Sequence, residues 1–333
     1  DPVTGECLGL LVEESRTNSQ KWSSDFSQTS SYSLINNGDG AVPVLDSTLY
    51  EAPDGSATAQ RWTLQITDTT DGGNQSGIQA GTSGIPSGAY VTVWAKSATG
   101  ADQTVFLTSQ ANDTFTVTSK WQRFDLGPRS IIPFRAFARG TYTNAVVDIL
   151  LWGVQIEAGS FATSLIPTSG STVTRSADIV QMTGDNFSSW YNQSEGTLFA
   201  QWVSPDTKQF SSPAIIKSSA VKNSPRIYVY AYQGNKLIGM VKTPSESATI
   251  LTTSYVPNTK LKTAIAYNTS SQSSTFNGNT PQSANISAAI PTMIKMDLGD
   301  VYSTNDRYSN HHISRLSYYN ERLTDAELQT LTL

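Results

Sequence analysis

From Ala59 onward, apolar and polar residues alternate with a period of two, and a chain with that pattern can hide its apolar side only as strands of a sheet. In AQRWTLQIT, Trp62, Leu64 and Ile66 alternate with Arg61, Thr63 and Gln65. In YVTVWAKS, Val91, Val93 and Ala95 take one face and Tyr90, Thr92 and Trp94 the other. TVFLTSQ, DTFTVTSKWQRFDLG and NAVVDILLWGVQIE continue the alternation, with TDGGNQSG and IPSGAY as the turns between strands. The pattern restarts at EGTLFAQWVS and runs through RIYVYAYQGNKLIGMV, ATILTTSY, KLKTAIAYNT and TMIKMDLGDV to HHISRLSYYN. YQGNKL predicts a hairpin turn between Tyr228–Tyr232 and Leu237–Val241, and FNGN supplies the Asn-Gly pair that favours a tight primed turn. One helix signal closes the chain: Thr324 as N-cap with Glu327 three residues on, a capping box in LTDAELQTL.

Between the two series lies LLWGVQIEAGSFATSLIPTSGSTVTRSADIV, which opens as a buried strand and then turns to Gly, Pro, Ser and Thr, the composition of an ordered connector. A chain of 333 residues has room for two cores. The expected fold is therefore all-β: two tandem antiparallel β-sandwiches of jelly-roll type, over residues 1–183 and 184–333, with one short C-terminal helix.

Composition narrows the partners. Charged residues are 15% of the chain and the formal net charge is -5, with Lys and Arg scattered rather than gathered in a stripe that could neutralise phosphates, so nucleic acid is excluded as an expected partner. The single cysteine, Cys7, cannot form an intramolecular disulfide. No apolar run reaches the roughly 20 residues that span a bilayer, so no membrane insertion is expected. The opening DPVTGECLGLL has neither an initiator Met nor a basic segment ahead of an apolar one, and reads as the mature or truncated end of a longer polypeptide.

Catalytic patterns are missing from the sequence. No Glu-x-Asp-x-(x)-Glu triplet supplies the paired carboxylates of a glycanase, and there is no HExxH, phosphate loop or Ser-His-Asp order. The only histidines, His311 and His312, are adjacent at the entry to the last strand, where neighbours face opposite sides and make a poor metal pair. Binding has better support. Tyr228, Tyr230 and Tyr232 share one strand face with Arg226 beside them, and either form a platform on which sugar rings stack or fill the space between sheets. The loop DVYSTNDRYSNHH gathers Tyr302, Asn305, Asp306, Arg307 and Tyr308, a mixture of planar, amide and charged groups suited to glycans. Trp62, Trp94, Trp121, Trp152 and Trp202 sit in strand patterns and are read as core; Trp22 and Trp190 are read as exposed. Asp68, Asp71 and Asn74 fall on one turn and form a candidate structural calcium set. No other cofactor is expected.

Two motifs carry a resemblance. DPVTGECLGLLVEESRTNS resembles a GLLIEE-x-RTN segment that recurs in tail-fibre and other structural proteins of tailed bacteriophages, and LWGVQIEAGSFATSLIPTSGSTVTRSAD resembles the motif that accompanies it. Leu165 stands where those proteins often carry Tyr. In them the domain between the motifs is similar to carbohydrate-binding jelly rolls. The second half, from GTLFAQW to ISRLSYYNERLTDAELQTL, is similar to concanavalin A-like and laminin G-like sandwiches. The resemblance implies a non-enzymatic adhesin or fibre component at an extracellular virion surface, binding host-surface polysaccharide beside other virion proteins, as a homotrimer. It implies as the alternative a purely structural capsid or tail decoration protein, and leaves a polysaccharide depolymerase third. In this setting Arg16, Asn18, Glu157, Arg175 and Asp178 are expected to be buried polar clamps, since buried charge persists only when paired.

Overall fold

The computed structural model describes residues 7–81, 86–107, 114–129, 134–159, 161–203, 212–221, 224–232, 235–299 and 311–333. The chain forms two compact units: Arg16–Arg175, together with Asp1–Glu6, and Ser176–Leu333, together with Cys7–Ser15. Both are antiparallel β-sandwiches, the class that the period of two dictates.

In the first unit, sheet I has the strand order Gln122–Arg129, Ala89–Ser97, Val146–Glu157, Ala57–Gln65, Val44–Glu51. Sheet II has the order Tyr32–Asn37, Gln75–Ala80, Arg135–Arg139, Gln103–Phe106, Thr114–Val117. Their inner faces meet in one core: Trp62, Leu64, Val91, Val93, Val147 and Ile149 come from sheet I, and Ile78, Val105, Ala136 and Ala138 from sheet II. Each such aliphatic or aromatic side chain taken fully out of water contributes about 1.5–3 kcal/mol. A two-stranded pair, Arg16–Asn18 with Val173–Arg175, completes the unit.

In the second unit, sheet III runs Leu10–Val12, His311–Tyr319, Glu195–Val203, Lys260–Asn268, Ser271–Phe276, Gln282–Asn285. Sheet IV runs Val180–Thr183, Lys295–Leu298, Ala214–Lys217, Arg226–Tyr232, Lys236–Lys242, Ser247–Ser254. Their core contains Leu198, Trp202, Ile265 and Tyr267 on one side and Ile216, Ile227, Val229 and Val241 on the other. The edge strand Leu10–Val12 precedes the first unit in sequence yet pairs with the start of the last long strand, Val12 opposite His311. No local pattern announces that pairing.

Local signals in the sequence took the expected form. Arg226–Tyr232 and Lys236–Lys242 pair as a hairpin, Tyr232 opposite Lys236. Asn277 and Gly278 both have positive φ, 47° and 74°, and Asn279 N–H closes the turn on the Phe276 carbonyl at 3.0 Å. Thr324 Oγ1 accepts from Glu327 N–H at 3.3 Å while Glu327 Oε2 accepts from Thr324 N–H at 2.8 Å, and the helix Asp325–Thr332 follows. Its Leu328 and Leu331 pack on Phe199, Ala264 and Ala266, on the outer face of sheet III. A second helix of one turn, Asp185–Ser188, had no sequence signal; it is held by its buried Phe187.

Candidate functional site

The outer face of sheet I, turned away from the core, is aromatic. Trp94 and Trp152 are direct cross-strand partners with ring centroids 6.4 Å apart at 61°. Ala52 and Ala59 are buried beside them, and Tyr50, Trp121 and Leu165 pack around the pair partly exposed. Hydrogen bonds fix the rings: Trp152 Nε1 donates to Thr58 Oγ1 at 2.9 Å, and Trp121 Nε1 donates to the Glu51 carbonyl at 3.2 Å. The neighbouring rows of the same face are charged. Arg61 holds Asp148 with two parallel bonds, Nε to Oδ1 at 2.9 Å and Nη2 to Oδ2 at 2.6 Å. Asp46 Oδ2 lies 4.0 Å from Arg61 Nη1 and accepts from the Tyr50 hydroxyl at 2.6 Å. That hydroxyl holds the Asp46 pKa below the usual carboxylate value, and the Asp148 bonds raise that of Arg61. The side chains of Arg61 and Asp46 are 34% and 33% exposed, so this chain of polar groups borders the rings in contact with solvent.

A bulge makes the face continuous. The pairing of Val146–Glu157 shifts between Trp152 and Gln155, at Gly153, whose φ of 64° is a left-handed value that glycine adopts without strain. Before it Asp148 and Trp152 point outward; after it Val154 and Ile156 enter the core and Gln155 and Glu157 take the outward positions. A Cβ at Gly153 would stand 2.9 Å from Leu165 Cδ2 and 3.3 Å from Trp94 Cδ1. Glu157 is nevertheless fully buried. Its Oε1 accepts from Thr163 N–H at 2.8 Å and from Gln155 Nε2 at 2.9 Å, and its Oε2 from Thr163 Oγ1 at 2.8 Å. Asn18, also fully buried, accepts from Ile156 N–H and Gln20 N–H at 3.0 Å each and donates to the Ile166 carbonyl at 2.9 Å. These two clamps pin the segment that follows Glu157 against the sheet. Asp178 pairs instead with Glu13, Oδ2 to N–H and N–H to carbonyl, both at 2.9 Å. Arg16 is buried with its guanidinium 4.8 Å from the Phe161 ring, and Arg175 is half-buried.

The tyrosine row lies on the outer face of sheet IV. Ile227, Val229 and Ala231 enter the inter-sheet core, while Tyr228 and Tyr230 form a separate cluster with Ile215 and Ile238, and Tyr232 and Met240 pack against it. Tyr228 and Tyr230 stack at 4.6 Å and 15°; Tyr232 meets Tyr230 edge-on at 6.3 Å; the Arg226 guanidinium sits 5.6 Å from the Tyr228 ring centre. The rings therefore do not fill the space between the sheets. They are not open either: Tyr228 is 2% and Tyr230 5% exposed.

The remaining expected residues lie away from both faces or outside the described residues. Tyr302, Asn305, Asp306, Arg307 and Tyr308 lie outside the described residues. In the calcium set, Asp68 Oδ1 accepts from Thr70 N–H at 2.8 Å and Asp71 Oδ1 from Gly73 N–H at 2.7 Å, each closing a local turn, while Asn74 Oδ1 accepts from Asp39 N–H at 2.8 Å, a partner distant in sequence. Among the described residues no three His, Cys, Asp or Glu side chains gather where they could hold a metal ion. His311 opens the last long strand, buried edge-on against Trp202 at 5.1 Å, and burial lowers its pKa to about 3. Of the tryptophans read as core, Trp62 and Trp202 are in the sandwich cores, but Trp94 and Trp152 are on the opposite face; Trp22 and Trp190, read as exposed, are half-buried against the cores. The alternation had already separated Trp94 from Val93 and Ala95; what it lacked was which side a second sheet would cover.

No family model matches the chain, and no curated protein matches it. Similar solved structures include the Ruminococcus gnavus IT-sialidase CBM40 bound to alpha2,3 sialyllactose, at 14% identity and a TM-score of 0.36 over 42% of this chain and 84% of that one. They also include the receptor binding domain of botulinum neurotoxin D (12%, TM-score 0.36, 46% and 41%) and a heptameric SAP-like pentraxin from Limulus polyphemus (11%, TM-score 0.34, 43% and 73%). At these TM-scores the likeness brings neither a family nor a ligand to this chain. Among the described residues no helix is long and apolar enough to cross a membrane.

Proposed function

We propose that the protein is a non-enzymatic glycan-binding adhesin of a tailed-bacteriophage virion, taking bacterial surface polysaccharide on the outer face of sheet I. The observation that carries the reading is the Trp94–Trp152 pair with Tyr50 and Trp121 at its rim and the Arg61–Asp148–Asp46 chain beside it. A sugar has an apolar C–H face and a rim of hydroxyls, and this surface offers fixed ring edges next to fixed donors and acceptors. The virion setting rests on the two sequence motifs, and with it the homotrimer, which would raise weak single-site affinity through simultaneous contacts.

A glycan array on the chain, followed by retention on bacterial cells and competition by their polysaccharide, tests the reading. The rim ring is the variant of choice. Trp121→Ala is expected to weaken glycan binding about tenfold, a loss of about 1.4 kcal/mol, and to leave the thermal transition close to that of the parent because Trp121 is half-buried at the edge of the cluster. Unchanged binding by the variant removes sheet I as the site, and release of new reducing ends from the bound polysaccharide overturns the non-enzymatic part.

A further inference from the structure

The outer face of sheet II carries a different chemistry. On the strand Arg135–Arg139, sequence RAFAR, Ala136 and Ala138 enter the core and Arg135, Phe137 and Arg139 point outward. Phe137 stacks on Phe106 at 4.8 Å and 19°, and Ile35 completes the small apolar patch. Gly77 sits between Ile35 and Phe137 in register. A Cβ there would collide with the Phe137 Cβ, so the glycine is what lets that side chain sit close over the neighbouring strand.

The two guanidiniums stand on either side of this patch, four residues apart on one strand and hence about 13 Å apart along it. Among the described residues neither meets a carboxylate. Arg135 donates Nε–H to Gln79 Oε1 at 2.9 Å, and Arg139 donates Nε–H to the Gly72 carbonyl at 2.8 Å. The Arg139 guanidinium lies 5.7 Å from the Phe106 ring centre and 5.1 Å from that of Tyr142, whose ring is 40% exposed. Among the described residues both arginines are thus oriented by neutral partners and rings, with the terminal N–H groups left over. The outward positions that pair with them in register, Gln79 and Ser33 beside Arg135, Gln75 and Asn37 beside Arg139, are uncharged. Burial lowers the Arg135 pKa with no anion opposing it. In a chain with a formal net charge of -5, a sheet face holding two cations and no described anion is a local reversal of sign.

We propose that this face is a second glycan site, specific for acidic polysaccharide: Arg135 and Arg139 engage oxyanions on two separate units of one polymer chain, and the Gln75 and Gln79 amides meet the hydroxyls between them. A guanidinium presents paired N–H groups that match the two oxygens of a carboxylate or the oxygens of a phosphate, and contacts that are partly desolvated gain more from charge than exposed ones. The proposal rests on the glycan-binding reading only for the class of ligand; the surface, the residues and the charge requirement are separate from the sheet I site.

The test is retardation in affinity gels cast with polygalacturonate (carboxylate), poly(glycerol phosphate) (phosphate), or dextran and a panel of other neutral glycans, at low salt and at 0.5 M NaCl. Retardation is expected in at least one of the two acidic gels, weakened at least tenfold by the higher salt, as contacts between exposed charges are screened. Which acidic gel retards the protein identifies the oxyanion. The double variant Arg135→Gln, Arg139→Gln is expected to lose that retardation with its thermal transition unchanged, and the Arg135→Lys, Arg139→Lys variant to keep part of it. Retardation of the Gln variant equal to that of the parent overturns the proposal. So does binding of neutral glycans with neither acidic polymer, an outcome that leaves the sheet I reading standing. If no polymer, acidic or neutral, retards the protein, both readings fall together.

Discussion

The outer faces of sheet I and sheet III start from the same material and end differently. Each places aromatic and small apolar residues on the side of a sheet that its sandwich core does not use. On sheet III the chain covers that surface itself: Leu328 and Leu331 of the C-terminal helix lie over Phe199, Ala264 and Ala266, and Leu328 is fully buried. On sheet I the Trp94–Trp152 pair is bordered instead by Arg61, Asp148, Asp46 and the Tyr50 hydroxyl, and the Arg61 and Asp46 side chains each keep about a third of their surface in solvent. Aromatic residues on an outer face therefore do not by themselves mark a binding surface. The distinguishing feature is what stands at the edge: another apolar element, or polar groups already held in place.

The largest expected effect asks to which kind of face the tyrosine row belongs. Tyr230 is nearly buried in a stack with Tyr228, so Tyr230→Ala is expected to cost about 3–5 kcal/mol in urea or thermal unfolding. An unaltered unfolding midpoint with lost glycan binding would instead class the row with sheet I and break the assignment made from burial. Next in size is Leu328→Ala, which should cost about 2–4 kcal/mol by opening a cavity under the helix, and should leave every glycan affinity as it was. A change in glycan binding by this variant would erase the contrast between covered and bordered faces.

The smallest effect is one of pH and belongs to a core rather than to either outer face. His311 lies on the core side of sheet III, and burial depresses its pKa to about 3 from an ordinary 6.5. Between these values the unfolded chain carries a proton that the folded chain does not, so stability is full above about pH 6.5 and falls as the pH drops, by at most about 1.4 kcal/mol per pH unit. His311→Asn is expected to flatten that slope between pH 6.5 and 5, above the range in which carboxylates titrate. The outer face of sheet I carries neither histidine, and the Tyr50 hydroxyl holds the Asp46 pKa below the usual carboxylate value, so glycan binding at sheet I should not follow the slope. Equal slopes for parent and variant would remove His311 as its source.

How far these surfaces could be read in advance depended on the range of the interaction involved. The period of two placed Trp62 with Leu64 and Tyr228 with Tyr230, because side-chain direction is set by the residue's own strand. The capping box at Thr324 and the Asn277-Gly278 turn were legible for the same reason: all their partners are within four residues. Trp94 and Trp152 were assigned to the core because parity says that two faces exist without saying which one meets a second sheet. The bulge at Gly153 adds to this, since it moves Gln155 and Glu157 onto the outward side against the simple count. RAFAR displays the shared face of Arg135 and Arg139 plainly, but their meaning comes from the uncharged neighbours on strands distant in sequence.

The pairing of Leu10–Val12 with the start of His311–Tyr319 also has a consequence for how the protein is made. All strands of the first unit are available once the chain to Arg175 has left the ribosome, and the unit can close around them at that point. Sheet III cannot. Its edge strand is synthesised before the first unit, and its partner some three hundred residues later. Until His311–Tyr319 has been synthesised, Leu10 to Val12 lack the strand they pair with in the folded protein, although the first unit, which lies between the two in sequence, can already have closed.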